Sequence, residues 1–206
     1  MDNALQYAQS QQATYQAQLI DLLKIPSIST DAAYKAEVKR AGEWVAADMT
    51  QAGLSAELIE TNRHPLVYGE WLGAGADKPT ILFYGHYDVQ PASLEDGWDH
   101  EPFDPIEKDG FIYARGAADD KGQFLIHLKA VESILKSKGA LPVNVKFIIE
   151  GEEESGGESI ETFVKSQSDK LKADTIVVSD TSMATTEQPV IVVALRGGLA
   201  MELQVS

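Results

Sequence analysis

The 206-residue sequence has no cysteine, which excludes disulfides, thiolate metal sites and a cysteine nucleophile without fixing the compartment. No apolar run approaches the roughly 20 residues that span a bilayer, so no membrane partner is expected. The N-terminal MDNALQYAQSQQ offers neither a basic segment nor an apolar one, so no export signal is read and the cytoplasm is the expected location. Positive charge is scarce as well: 17 Lys and Arg stand against 32 Asp and Glu, a net charge of −15. Nucleic acid is thereby excluded as a partner, because phosphate binding needs a basic stripe. GxSxG, P-loop and HExxH patterns are all missing, and Gly73-Ala74-Gly75 is too short and badly placed for a dinucleotide fingerprint.

What remains is an acidic chain of otherwise ordinary composition, 44% apolar and 24% charged. Such acidity serves solubility, or it reflects carboxylates gathered to hold cations. Only the positions of the acids decide between these.

Helices are expected over 3–24, where Leu5, Tyr15, Leu19, Leu22 and Leu23 form the buried face, and over 31–52. In the second, Val38, Ala41, Val45 and Met49 recur at helical spacing and Gly53 marks the stop. Strand-like runs follow at 54–60, 66–71 and 80–85. Asp109-Gly110, between two short alternating segments, signals a hairpin. The clearest helix is 121–139, with Phe124, Leu125, Leu128, Val131, Ile134 and Leu135 in one stripe and Gly139 after it. A strand at 143–150 leads through a Gly-rich acidic loop into a short helix near 158–167. The nearly continuous apolar run at 174–179 suits a strand covered on both faces. Two more strands are expected at 189–195 and 199–205. Strands alternating with helices predict an α/β three-layer sandwich, a mostly parallel central sheet flanked by helices. The chain ends at Ser206 inside an apparent strand, so the domain is expected to be incomplete there.

Four segments stand out, each an acidic or histidine-bearing loop read as directly following a strand. In ILFYGHYDVQPA, His86 and Asp88 are two apart, so in extended chain both point to one side. Asp88 then stands where a carboxylate fixes the tautomer of a ligating His86; alone, the pair reads equally as a surface His beside a turn Asp. In ARGAADDKGQ, Asp120 reads as the N-cap of the following helix, while Asp119 either complements the helix dipole or points back to the sheet edge. Glu150, Glu152, Glu153 and Glu154 make either a solvated loop or a cluster whose mutual repulsion a cation relieves. Asp180, just past the 174–179 run, alone reads as a turn or cap residue. His64, His100 and His127 lack acidic partners at ligand spacing and read as structural or surface residues.

Together the four clusters say more than any one. Open α/β sheets bind ligands at the carboxyl ends of their strands, where all four segments fall. One imidazole with several carboxylates suits Zn or Mn and is compatible with two ions about 3.5–4 Å apart. Such ions polarise an amide carbonyl and make hydroxide available at neutral pH, provided one unligated carboxylate takes and returns the proton.

The strings GHYDVQPA, ARGAADDKGQ, EGEEESGG and SDT, in this order, resemble the carnosinase-like dipeptidases. Their wider metallopeptidase family includes acetylornithine deacetylase, succinyl-diaminopimelate desuccinylase and the glutamate carboxypeptidases. The resemblance extends from IPSIS onward. It implies hydrolysis of the peptide bond of dipeptides or short peptides, with an N-acyl-amino-acid deacylase as the alternative, and two divalent ions, Zn with Mn or Co as substitutes. It implies that His86 and Asp180 ligate one metal, Asp119 bridges both, and Glu154 ligates the second. It further implies that Asp88 orients the histidine, that Glu153 is the general base, and that the Asp119–Asp120 peptide bond is cis. The family's fifth ligand is a histidine farther downstream, and no residue here matches it; the isolated chain is therefore expected to be inactive, an alternative being a metal-binding fragment. On the same resemblance, residues 1–195 form the N-terminal part of the catalytic domain and 196–206 begin a lid through which a parent protein forms homodimers.

Overall fold

The computed structural model describes residues 2–194 together with 197, 201, 202 and 204. Its helices are α1 Asp2–Ser10, α2 Gln12–Leu23, α3 Lys35–Ala52, α4 Lys121–Lys138, α5 Glu158–Ser166 and α6 Ser168–Leu171. Its strands are β1 Ser55–Ile59, β2 Leu66–Trp71, β3 Thr80–His86, β4 Ile106–Lys108, β5 Phe111–Tyr113, β6 Asn144–Glu150 and β7 Thr175–Val178.

Five strands form one sheet in the order β1-β2-β6-β3-β7. β3 pairs parallel with both β6 and β7, while β2 lies antiparallel to β6 and to β1. Four strands therefore point one way and only β2 is reversed, which matches the mostly parallel sheet expected. The period-2 alternation of strand side chains divides the core. Val67, Val145, Phe147 and Ile149 pack with Val38, Val45, Met49, Phe124 and Leu128 of α3 and α4. Leu66, Tyr68, Leu82 and Ile148 face the other way, against Ile160, Phe163 and Leu171 of α5 and α6. Helices thus cover both faces of the sheet.

α3 follows its expected stripe: Val38, Ala41, Val45 and Met49 are fully buried, and Gly53 closes the helix in the left-handed conformation. It opens one turn later than expected, after a 3-10 turn, Ala32–Tyr34, in which the Asp31 carboxylate accepts from the Ala33 N–H at 2.9 Å. The β4–β5 hairpin turns at Asp109 and Gly110, φ 54° and 83°, the two positive values that a tight hairpin turn of type I′ requires.

Four expectations are corrected. The single helix over 3–24 is two helices broken at Gln11 (φ −97°, ψ 3°); the Ser10 hydroxyl donates back to the Tyr7 carbonyl, a local bond that competes with helix continuation. Ala4, not Leu5, is the buried residue of α1; Leu5 is 57% exposed. β7 is not covered on both faces: it is an edge strand of the sheet, with Ile176 63% and Val178 54% exposed. Finally, 189–194 is no strand: Ile191 and Val193 are 90% and 92% exposed, and pair with no strand among the described residues. An apolar run without a hydrogen-bonding partner gains nothing from being extended. Leu195 and most of 199–205 lie outside the described residues, as does most of the expected lid segment 196–206. Among the described residues, no helix is long and apolar enough to cross a membrane.

Candidate metal centre

Parallel pairing brings the carboxyl ends of β3, β6 and β7 to one edge of the sheet, in a register that places His86 opposite Glu150. Glu152 to Glu154 follow β6 at this edge, and Ser179 and Asp180 follow β7. Because β2 is reversed, its amino end lies here too, which brings in His64 and Pro65. The start of α4 is held at the same edge: the His86 N–H donates to Asp120 Oδ2 at 3.0 Å. Gly85 permits this close approach, since a Cβ there would stand 2.6 Å from Asp120 Oδ2 and 2.7 Å from the Phe124 Cβ.

His86 and Asp88 are both fully buried. The His86 Nδ1 lies 3.1 Å from the Asp88 carbonyl oxygen and 3.4 Å from Asp88 Oδ1. Facing only acceptors, Nδ1 keeps its proton in either charge state of the ring, and Nε2 is the nitrogen turned to the edge, where a metal ion can replace its proton. On that side lie Asp119 Oδ1 at 3.0 Å and Asp180 Oδ2 at 3.5 Å. One donor atom from each of His86, Asp119 and Asp180 falls within 4.8 Å of the others.

The electrostatics of this triad favour a cation. Burial alone would lower the His86 pKa, but the hydrogen bond and charge of Asp88, with Asp120 and Asp180 beyond it, push it up to about 10. A positive charge is therefore preferred between the imidazole and the carboxylates, whether supplied by a proton or by a metal ion. Burial raises Asp180 above the usual carboxylate range, opposed by the His86 charge. A neutral imidazole nitrogen with carboxylate oxygens is a donor set that Zn or Mn accepts. The residues fit such an ion.

The other sequence candidates are distributed around this triad. Glu154 stands outside it: its carboxylate accepts from the Gln90 amide at 2.9 Å. Glu153 is exposed, its pKa raised first by burial of the carboxyl and opposed by His86. The backbone N–H groups of both residues point into the site and donate to Asp88, at 3.2 Å to Oδ1 and 3.1 Å to Oδ2. The Asp119–Asp120 peptide bond is cis.

Asp120 corrects the sequence reading. It occupies the position before α4, but its side chain makes no capping bond; it is spent on the His86 N–H, and burial pushes its pKa up to about 7. Glu150 is buried beneath the edge, accepting from the Tyr84 hydroxyl at 2.6 Å, and burial pushes it up to about 7. Of the three histidines set aside, His127 stacks on Phe83 with ring centroids 4.9 Å apart and meets Ser179 Oγ at 2.9 Å. His100 packs edge-on to Trp98 and meets the Tyr113 carbonyl. His64, 7% exposed, is structural too, yet it belongs to the frame of the site through Ser29 and Glu152. Nothing in the spacing of these three residues marks them in the sequence.

A mostly parallel α/β sheet with an imidazole and carboxylates converging at its carboxyl edge defines a domain of the metallopeptidase kind. Comparison with known families is more specific: residues 82–203 match the model of peptidase family M20/M25/M40, and the chain belongs to that family. Among curated proteins it is similar to the Cys-Gly metallodipeptidase dug1 of Schizosaccharomyces pombe, 35% identical over 85% of this chain and 39% of that protein. It is also similar to the Beta-Ala-His dipeptidase of Rattus norvegicus, 41% identical over 68% of this chain and 29% of that protein. Among solved structures, human carnosine dipeptidase 1 matches with a TM-score of 0.80 at 33% identity, covering 87% of this chain and 41% of that one. The chain thus spans well under half the length of these relatives.

Proposed function

We propose that the protein carrying this chain is a two-metal dipeptidase, and that these residues are the amino-terminal portion of its catalytic domain, with 196–206 leading toward a lid that mediates dimerisation. The observation that carries this reading is the convergence of His86, Asp119 and Asp180 within 4.8 Å, with the far nitrogen of the imidazole held by Asp88. The names of the similar proteins, Cys-Gly and Beta-Ala-His dipeptidases, support the substrate class.

In this reading His86, Asp119 and Asp180 would hold one divalent ion, and Asp119 with Glu154, released from the Gln90 amide, would hold a second. Zinc suits the donors best, with Mn or Co able to substitute. When bound, the ions supply Lewis-acid polarisation of the scissile carbonyl and an acidified water. Glu153 takes the proton of the attacking water and returns it to the leaving amine. Burial moves its pKa upward, the direction that favours returning the proton. Asp88 keeps the proton of His86 on Nδ1, so that Nε2 stays free to ligate.

The test is metal content and turnover of Gly-containing and β-alanyl dipeptides by the whole protein, beside their N-acylated counterparts. A dipeptidase requires the free α-amino group; preference for the N-acylated compounds would reassign the protein to the deacylases. Glu153→Gln should cut kcat by roughly 100- to 10,000-fold while metal content stays unchanged. Binding of less than about one equivalent of Zn or Mn would overturn the reading.

A further inference from the structure

The segment Ile25 to Ser29, remote in sequence from every residue discussed above as a ligand, passes directly beneath the site. The Ser29 hydroxyl donates to Asp88 Oδ2 at 2.6 Å. The same carboxylate accepts from the N–H groups of Glu153 and Glu154. The Ser29 carbonyl in turn lies 3.2 Å from His64 Nε2, which therefore carries that ring's proton. The His64 N–H donates to Glu152 Oε1 at 2.9 Å, and Glu152 leads directly into the 153–154 turn. Ser29, Asp88, the turn, Glu152 and His64 thus form a closed ring of hydrogen bonds, and the four side chains in it are at most 7% exposed. The segment is pinned at its other end by Lys121 Nζ, which donates to the Ile25 carbonyl at 2.7 Å and the Leu22 carbonyl at 3.2 Å.

We propose that Ser29 is a positioning residue of the metal centre: through Asp88, its hydroxyl holds His86 and the Glu153–Glu154 turn as one rigid unit. The inference rests on the metal-centre reading above. A fully buried carboxylate needs donors from fixed directions. Three converge on Asp88, two from backbone and one from Ser29, and the carboxylate also faces His86 Nδ1. Without the hydroxyl, Oδ2 keeps only the Glu154 N–H. The carboxylate is then free to turn about its last bond, away from the imidazole on one side and from the turn on the other. Asp88 stands one step behind the ligand His86, where such groups typically govern metal affinity, and Ser29 acts through it.

Ser27 separates this role from plain structural support. It is a fully buried serine in the same segment, and its hydroxyl donates at 2.6 Å to the Tyr87 carbonyl, one residue before Asp88. It does not touch the Asp88 carboxylate. The experiment measures Zn affinity of the full chain by competition with a chromophoric chelator, with the thermal midpoint of the metal-free chain recorded alongside. Ser29→Ala should weaken Zn binding by about 10- to 100-fold, and Ser29→Thr should restore most of it. Ser27→Ala should lower the metal-free midpoint but leave Zn affinity at the wild-type value. Should the alanine variant of Ser29 fail to fold, Ser29→Cys, which keeps the volume but donates weakly, carries the same expectation. Wild-type affinity in the folded Ser29 variants, or an equal loss in the Ser27 variant, overturns the proposal while leaving the metal centre intact. Absence of Zn binding by the wild-type chain removes the metal centre and the proposal together.

Discussion

Gly85 and Asp120 approach so closely that a single methyl group would separate the helix from the sheet. The Asp120 carboxylate lies 2.6 Å from where a Gly85 Cβ would stand, and it accepts the N–H of the next residue, His86. Gly85→Ala should therefore destabilise the fold by about 1–3 kcal/mol, the usual cost of overpacking, and should also displace His86. Urea titration reads the first effect and Zn affinity the second. A variant as stable as wild type would show that α4 is less tightly fixed at this edge than the distances state.

A second expectation concerns the interface between α3 and α4, far from the sheet edge. Lys129 Nζ lies 2.7 Å from Asp48 Oδ1 and 3.0 Å from Glu132 Oε2, and all three side chains are less than a tenth exposed. Burial raises the Asp48 pKa even against the Lys129 charge. Lys129→Met strands two buried carboxylates, a loss of about 3–5 kcal/mol at neutral pH. Acid should relieve part of it, since protonating Asp48 removes the unpaired charge. Denaturant midpoints of variant and wild type at pH 7 and pH 5 check both statements: the gap should narrow at pH 5. A gap that widens would contradict the assignment of the loss to stranded carboxylates.

The sequence made α3 and α4 legible because their apolar residues recur at helical spacing and a glycine terminates each in a left-handed turn. The strand-end position of His86 and of the 152–154 acids was legible for a related reason: an apolar run that stops at a charged loop marks a strand end. Asp120 was misread because an acid just before a helix gives the same local signal whether it caps that helix or reaches across to a strand. The exposure of β7 was hidden in its composition, since an apolar run says that a strand forms but not what covers it. Ser29 could not be found at all. Its contact with Asp88 spans 59 residues, and a serine in a Pro-containing loop is ordinary by every local criterion.

His127 provides a pH test. Burial between Phe83 and the sheet edge lowers its pKa below the ordinary 6.5. The unfolded chain then takes up a proton before the folded one does as the pH falls. The contribution is fully present above about pH 6.5 and is lost as the pH drops below it toward the folded value. His127→Phe, which keeps a ring against Phe83, should remove that component. The difference in unfolding free energy between wild type and variant should be flat above pH 7 and shift toward the variant between pH 6.5 and 5. Parallel pH profiles would mean that His127 does not titrate between the folded and unfolded states.

Binding of a divalent ion should itself stabilise the fold, because the triad draws together the end of β3 and two loops that an unfolded chain leaves apart. Zn at a hundredfold excess over its Kd should add about 2.7 kcal/mol. For a domain of this size that corresponds to a rise in Tm of roughly 5–10 °C, reversed by a chelator. Asp180→Asn keeps the shape of the side chain but removes the charge facing His86 Nε2 at 3.5 Å, so its melting temperature should respond far less to Zn. Its metal-free midpoint should equal or exceed that of the wild type, since burial already disfavours the Asp180 charge. Calorimetry of both proteins with and without Zn decides the matter: an unchanged metal response in the variant would exclude Asp180 from the centre, whereas a lower metal-free midpoint would show that His86 in its protonated form already relies on that carboxylate.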